Sequence, residues 1–124
     1  MNSDNEALVR RLTDEVINGG RLELVDELFS AELAGTVREA FTSFRNAFPD
    51  WREDIVDMVS DAERVAVRLR CAGTFRGEFM GSAPNGRRQE VAEAFFLRVH
   101  EGRIVDYWGL EDNLTRLRQL GIGP

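Results

Sequence analysis

The chain has 124 residues, of which 43% are hydrophobic and 31% are charged, as is typical of a globular domain. Its net charge of −6 argues against a nucleic-acid partner, because a nucleic-acid backbone requires a basic surface. No apolar run approaches the roughly 20 residues that span a bilayer, and the acidic N-terminus is not typical of a signal peptide. We therefore expect one soluble domain over residues 1–124, with no membrane partner.

The chain contains one cysteine and one histidine, Cys71 and His100. A single cysteine forms no intramolecular disulfide, so the composition fits a reducing, cytoplasmic location. Together the two residues are too few for a typical zinc site. We therefore expect chemistry that needs no metal.

The first half of the chain has the apolar spacing of helices. Apolar residues over 8–17 recur at steps of three and four, and the Asn-Gly-Gly at 18–20 predicts the end of that helix. A short second helix is predicted over 22–29 and a third over 31–48, where Pro49 ends it.

The second half changes to the alternation of strands. Strands are predicted over 51–60 and from residue 64 onward, and 89–108 predicts two more strands that join in a hairpin at 100–103. Residues 113–120 return to helical spacing. The sequence therefore predicts an α+β fold with helices over about 4–48, a curved antiparallel sheet over about 51–110 and a C-terminal helix over about 113–120, the N-terminal helices packing in the concave face of the sheet.

Three groups of residues, taken together in this order and spacing, resemble the SnoaL-like polyketide cyclases. They are Phe48-Pro49-Asp50-Trp51, the series Gly73-Thr74, Gly77, Gly81, Pro84 and Gly86, and Trp108, Asp112 and Gln119-Leu120-Gly121. The resemblance implies the cone-shaped α+β fold of ketosteroid isomerase and nuclear transport factor two, with a deep apolar pocket and commonly a homodimer. It also implies aldol ring closure of an aromatic polyketide without a cofactor, and it places the acid/base aspartate at Asp112.

Asp112 has two interpretations. A carboxylate in an apolar pocket becomes a better general base near neutral pH, because burial raises its pKa. However, Asp112 also stands just before the last predicted helix, where it could be an N-cap that accepts from the backbone N–H of Leu114 or Thr115. A cap would instead lower the pKa of Asp112. Its neighbour Glu111 is expected to face solvent.

Glu93 is a second candidate carboxylate, because alternation along its strand places it on the same face as Val91 and Phe95. A carboxylate there is costly unless it is paired or functional, although a bulge would turn it outward. Asp106 falls on the face of Ile104 and Trp108 by the same alternation.

Further candidates follow from residue type and position. We expect Tyr107 to donate a hydrogen bond to an oxyanion and Arg98 to orient an acidic group of the ligand. The expected apolar contacts to an aromatic ligand are Trp51, Phe75, Phe79, Met80, Phe95 and Trp108.

These features leave several functions open. A cyclase is the leading hypothesis, and epoxide opening by Glu93, Arg98 and Asp112 is a close variant. A non-catalytic binding or accessory protein is the alternative, because a histidine and a segment between the second and third helices that are common in the resembling proteins are missing. The third possibility is a dimerisation module that uses the outer sheet face at Ala92, Ala94 and Phe96.

Overall fold

The structure is a computed structural model that describes residues 2–123, with side chains from Asp4 onward. Helix α1 spans Asn2–Arg11 and continues as a π-helical segment over Leu12–Ile17. A 3₁₀ turn at Leu22–Leu24 leads into the short helix α2, Val25–Leu28, and helix α3 spans Ala31–Ala47. None of the helices in this described part is long and apolar enough to cross a membrane.

Four antiparallel strands follow, in the spatial order β1-β2-β3-β4. They are β1, Arg52–Ser60, β2, Arg64–Thr74, β3, Arg88–His100, and β4, Arg103–Glu111. Helix α4, Asn113–Leu120, completes the described elements. The predicted α+β fold with helices against a curved antiparallel sheet is confirmed.

The core lies between the helices and the inner face of the sheet. In β2 the inward residues Val65, Val67, Leu69 and Cys71 are all buried, while the arginines between them are exposed. This alternation matches the sequence prediction for β2, because successive side chains of a strand point to opposite faces. The inner face therefore presents an apolar surface on which the helices pack.

The β3–β4 hairpin turns through Glu101 and Gly102, which both have positive φ angles, of 50° and 75°. Two such residues are typical of a tight hairpin turn. The register then shifts, because Val99 pairs with Ile104 whereas Arg98 pairs with Asp106. The extra residue in β4 forms a bulge, which reverses the facing of every residue after it relative to plain alternation.

Helix α4 packs its buried face against β3. The sequence pattern places Leu114, Leu117 and Leu120 on one side, but Leu114 is 49% exposed and the buried residues are Arg116 and Leu120. These two are four residues apart and so lie on one face of the helix. An arginine on the buried face of a helix calls for a partner inside the protein.

Candidate functional site

A cavity of about 250 Å³ lies between the helices and the inner face of the sheet. Its walls come from the π-helical segment after α1, from α3 and from the inward residues of all four strands. Most of the wall is apolar, including Leu12, Val16, Val37, Phe41, Leu69 and Leu97. A largely apolar cavity with a few polar groups is the usual form of a small-molecule site.

Three glutamates from three strands meet at the cavity wall: Glu53 of β1, Glu93 of β3 and Glu111 of β4. Glu93 and Glu111 are direct partners across the β3–β4 ladder. Carboxyl oxygens of Glu53 and Glu93 lie within 4.8 Å of each other and of the Cys71 thiol. Glu53 and Glu93 are 7% and 4% exposed, so the cluster is removed from bulk water.

Arg116 of α4 binds this cluster from within the protein and is only 1% exposed. Its Nη2 donates to Glu93 Oε2 at 2.7 Å and its Nη1 to Glu111 Oε1 at 2.9 Å. Nε donates to Gln89 Oε1 at 3.1 Å, and Nη1 also donates to Asn113 Oδ1 at 2.8 Å. The guanidinium therefore links two of the three glutamates and holds a fixed position.

Two aromatic rings complete the surroundings of the Arg116 guanidinium. Its central carbon lies 5.4 Å from the centre of the Phe44 ring and 5.8 Å from that of Trp51. Such cation–π contacts stabilise a guanidinium that has left water. Trp51 also donates from Nε1 to Glu53 Oε2 at 3.1 Å, which fixes the third carboxylate.

The three glutamates have different proton affinities. Burial raises the pKa of Glu53 to about 7, against the hydrogen bond from Trp51. Burial, together with the hydrogen bond to Glu111, raises the pKa of Glu93 to about 9. Burial acts the same way on Glu111, but hydrogen bonds from Glu93 and Arg116 leave its pKa below the ordinary value. Near neutral pH the cluster therefore holds a protonated Glu93, an ionised Glu111 and a Glu53 close to its midpoint.

Glu53, Cys71 and Glu93 have the spacing of a possible metal-binding group. Arg116 already supplies a positive charge bonded to Glu93, and burial raises the pKa of the Cys71 thiol. A metal ion binds thiolate and carboxylate rather than their protonated forms. The donor set therefore suits proton transfer better than it suits a cation.

Four of the residues expected at the site line the cavity: Trp51, Glu93, Phe95 and Tyr107. Glu93 keeps its place on the inner face because the β2–β3 ladder is regular along its whole length. The ring of Phe95 lies against Gly109, where a Cβ atom would come within 2.2 Å of it. The structure therefore brings the predicted carboxylate and three predicted aromatic residues to one cavity.

Asp112 does not line the cavity. It is the N-cap of α4, where Oδ1 accepts from the backbone N–H of Thr115 at 3.2 Å and Oδ2 accepts from the Thr115 hydroxyl at 2.7 Å. These hydrogen bonds lower the pKa of Asp112, whose side chain is exposed. Of the two interpretations left open by the sequence, the geometry matches the helix cap.

Trp108 and Arg98 were expected in the pocket but lie on the outer face of the sheet. Trp108 is 57% exposed and packs edge-on against Phe96, with ring centres 6.0 Å apart. The β4 bulge is the cause, because it turns Tyr107 inward and Trp108 outward. Arg98 pairs in register with Asp106, and both side chains are exposed.

Three of the residues expected to contact an aromatic ligand, Phe75, Phe79 and Met80, also lie outside the cavity wall. Phe75 is fully buried and Phe79 partly buried, and both pack against Phe48 with ring centres 6.0 and 5.2 Å away. Met80 is 73% exposed. The structure therefore does not bring these three residues to the cavity that Glu93 lines.

Glu53 and Arg116 were not among the residues expected at the site, and Glu111 was expected to face solvent. For Glu53 a signal existed, because it lies two residues from both Trp51 and Ile55 and so shares one face of the extended chain with them. For Arg116 the signal was its spacing of four from Leu120, but charge suggested a solvent position. Glu111 faces inward only because of the bulge in β4, and no local sequence feature indicates that bulge.

A curved sheet and helices that enclose a largely apolar cavity with a few buried acids have the usual form of a small-molecule-binding protein. The family model for SnoaL-like polyketide cyclases matches residues 7–120. The chain therefore belongs to this family. No curated protein matches it significantly.

Solved structures agree with the family assignment. IdmH of Streptomyces antibioticus, a candidate polyketide cyclase, is 30% identical, with a TM-score of 0.81 over 94% of this chain and 97% of that chain. AclR of Streptomyces galilaeus, a candidate hydroxylase, has a TM-score of 0.90 at 23% identity, over 100% of this chain and 85% of that one. A SnoaL-like polyketide cyclase of Agrobacterium tumefaciens has a TM-score of 0.80 at 24% identity, over 92% and 95%. The last two similarities support the fold alone.

Proposed function

We propose that this protein is a cofactor-independent acid/base enzyme of the cyclase type, which closes a ring in an apolar, polyketide-like substrate by aldol condensation. The observation that carries the proposal is the cluster of Glu53, Glu93 and Glu111 on the wall of an apolar cavity. Family membership and the similarity to IdmH support the same reaction class. The acid/base role moves from Asp112 to the glutamates, because Asp112 does not reach the cavity.

Glu53 is the proposed general base. One of its oxygens accepts from Trp51 Nε1, which leaves the other free to take a proton from the carbon next to a substrate carbonyl. A base works best when its pKa lies close to the working pH, and the pKa of Glu53 is raised to about 7. The apolar wall around it keeps the base from being solvated.

Glu93 is the proposed general acid, because its raised pKa keeps it protonated at neutral pH. As the new carbon–carbon bond forms, the attacked carbonyl oxygen gains negative charge and accepts the proton from Glu93. Glu53 then carries one proton more and Glu93 one fewer. Because carboxyl oxygens of the two lie within 4.8 Å, a proton passing from Glu53 to Glu93 restores the starting state. Tyr107 also lines the cavity, and in this proposal its hydroxyl donates a hydrogen bond to the oxyanion.

The first half of this reaction can be measured without the natural substrate. We expect the protein to exchange the acetyl protons of 2-acetonaphthone with deuterium from D₂O, followed by proton NMR. Glu53→Gln should slow the exchange by about 10²–10⁴-fold, which is the usual contribution of a positioned base. Asp112→Asn is the matched control and should leave the rate unchanged, because asparagine also caps a helix.

Two other outcomes of the exchange experiment would each change the proposal. Loss of exchange in Asp112→Asn but not in Glu53→Gln would return the base to Asp112. If the wild-type protein binds 2-acetonaphthone without exchanging its protons, the non-catalytic binding protein becomes the better hypothesis.

Epoxide opening is a second candidate, favoured by Arg116, which bonds to two carboxyl groups at once. In that reaction Glu93 donates its proton to the epoxide oxygen as the carbon–oxygen bond breaks. An ionised glutamate takes a proton from the water that attacks the carbon, and the product is a diol. Styrene oxide in ¹⁸O-labelled water should then give a singly labelled diol with the wild type and none above background with Glu93→Gln. Absence of diol with the wild type would exclude this candidate.

A further inference from the structure

Arg45 of α3 is a cation in the wall of the cavity that the proposed reaction does not use. It is half-buried, whereas most arginines of this chain are exposed. Among the cavity-lining residues that the structure describes, it is the one arginine or lysine. Arg45 is therefore a half-buried positive charge in a cavity wall that is otherwise apolar and acidic.

The guanidinium of Arg45 makes few contacts with polar groups of the described residues. Nη2 donates to the backbone carbonyl of Asn18 at 3.3 Å, and no carboxylate among the described residues forms an ion pair with it. A guanidinium has five N–H donors, so several remain for another acceptor. Arg116, in contrast, is bonded to Gln89, Glu93, Glu111 and Asn113.

Asn18 connects Arg45 to the proposed base. Its side-chain Nδ2 donates to the Glu53 carbonyl at 2.7 Å, and its Oδ1 accepts from the Glu53 backbone N–H at 2.8 Å. Its own backbone N–H donates to the backbone carbonyl of Thr13 in the π-helical segment. The same residue therefore fixes the backbone of Glu53 and carries the carbonyl that Arg45 contacts, so that the cation and the base hold a defined relative position.

We propose that Arg45 binds a carboxylate of the ligand, so that this cavity takes aromatic carboxylic acids in preference to neutral aromatic compounds. A carboxylate matches the planar donor fork of a guanidinium and gains charge-assisted hydrogen bonds. Placing the same carboxylate beside the ionised Glu111 is unfavourable, so the charge also orients the ligand in the cavity. The inference names the substrate class of the proposed reaction, but the binding preference itself does not depend on turnover.

The test compares two probes of equal shape, 2-naphthoate and 2-naphthamide, by isothermal titration calorimetry. We expect the wild-type protein to bind the carboxylate about tenfold more tightly than the amide, which is the usual size of one charge-assisted contact. Arg45→Gln should remove this preference while it leaves binding of the amide within about twofold. Arg45→Lys should keep part of the preference, because it keeps the charge but not the fork.

Arg68→Gln is the matched control, because it removes the same charge from an exposed position of β2 that does not line the cavity. It should leave both affinities unchanged. Methyl NMR shifts of Leu12 and Val67 on addition of 2-naphthoate should place the probe in the cavity, whose wall both residues form.

Three results would overturn the inference: no binding of 2-naphthoate at millimolar concentration, equal affinity for the two probes, or a preference that survives Arg45→Gln. Failure of the proposed reaction looks different. In that case the preference for 2-naphthoate is present and depends on Arg45, while the exchange of 2-acetonaphthone is absent.

Discussion

Arg116 donates to Glu93 across 2.7 Å, and the two side chains are 1% and 4% exposed. The contact joins the C-terminal helix to the third strand inside the protein. Its character depends on the proton of Glu93, because an ionised Glu93 would make it a buried ion pair and a protonated one a hydrogen bond to a cation. The raised pKa of Glu93 favours the second description at neutral pH.

This difference predicts unequal effects of two substitutions. Arg116→Met should lower the free energy of unfolding by about 3–5 kcal/mol, because it leaves an ionised Glu111 without its buried partner. Glu93→Gln should cost no more than about 1.5 kcal/mol, since glutamine has the shape of the protonated acid and keeps the acceptor oxygen. Urea unfolding at pH 7 measures both. Equal losses in the two variants would show that Glu93 is ionised.

Asp112 should behave as a structural residue. Asp112→Ala should lower the free energy of unfolding by about 1 kcal/mol, the usual cost of losing an N-cap, and Asp112→Asn by much less. Neither change should alter the exchange of 2-acetonaphthone by more than twofold, because the side chain does not reach the cavity. A loss of exchange in a folded Asp112→Asn variant would show that the aspartate takes part in the reaction.

Burial of Glu53 should make stability depend on pH. The pKa of this carboxyl is raised from 4.5 to about 7 on folding, so the folded state holds more protons than the unfolded state between those values. The free energy of unfolding therefore falls as pH rises through this range. Glu53→Gln removes this contribution, so the variant should gain stability relative to the wild type from pH 5 to pH 8. If the difference in free energy of unfolding between the two proteins is the same at pH 5 and pH 8, the raised pKa of Glu53 is contradicted.

The predicted homodimer can be tested on the outer face of the sheet. Register places Val59, Ala66, Phe96 and Trp108 in one row across the four strands, and three of them are more than half exposed. A row of this kind is typical of an interface. We expect a dimer by light scattering, which Phe96→Lys converts to a monomer, while Arg64→Lys, at another exposed position of the sheet, leaves it intact. A monomeric wild type would remove this prediction.

Strand alternation gave the correct facing of the site residues only where it stayed regular. In β3 the pattern runs unbroken past Glu93, so of the two orientations left open by the sequence the structure has the inward one. In β4 one extra residue reverses the facing, so Trp108 was placed inside wrongly and Glu111 outside wrongly. A bulge depends on pairing with the neighbouring strand, which local sequence does not encode strongly.

Arg116 illustrates a second limit. A charged residue in a short helix is usually solvated, and no local pattern indicates that Glu93, Glu111 and Gln89 will surround it. These partners come from positions 5 to 27 residues away in the chain. Their meeting is a property of the fold, so it could be found only after the strands had been placed.

If proton transfer belongs to the buried glutamates, their pKa values differ from that of Asp112, and carbon-detected NMR titration measures each carboxyl separately. Assignment uses Glu53→Gln, Glu93→Gln and Asp112→Asn. We expect a midpoint near 7 for Glu53 and near 9 for Glu93, and a pKa below 3.8 for Asp112. Midpoints of Glu53 and Glu93 near 4.5, together with a raised value for Asp112, would contradict this expectation.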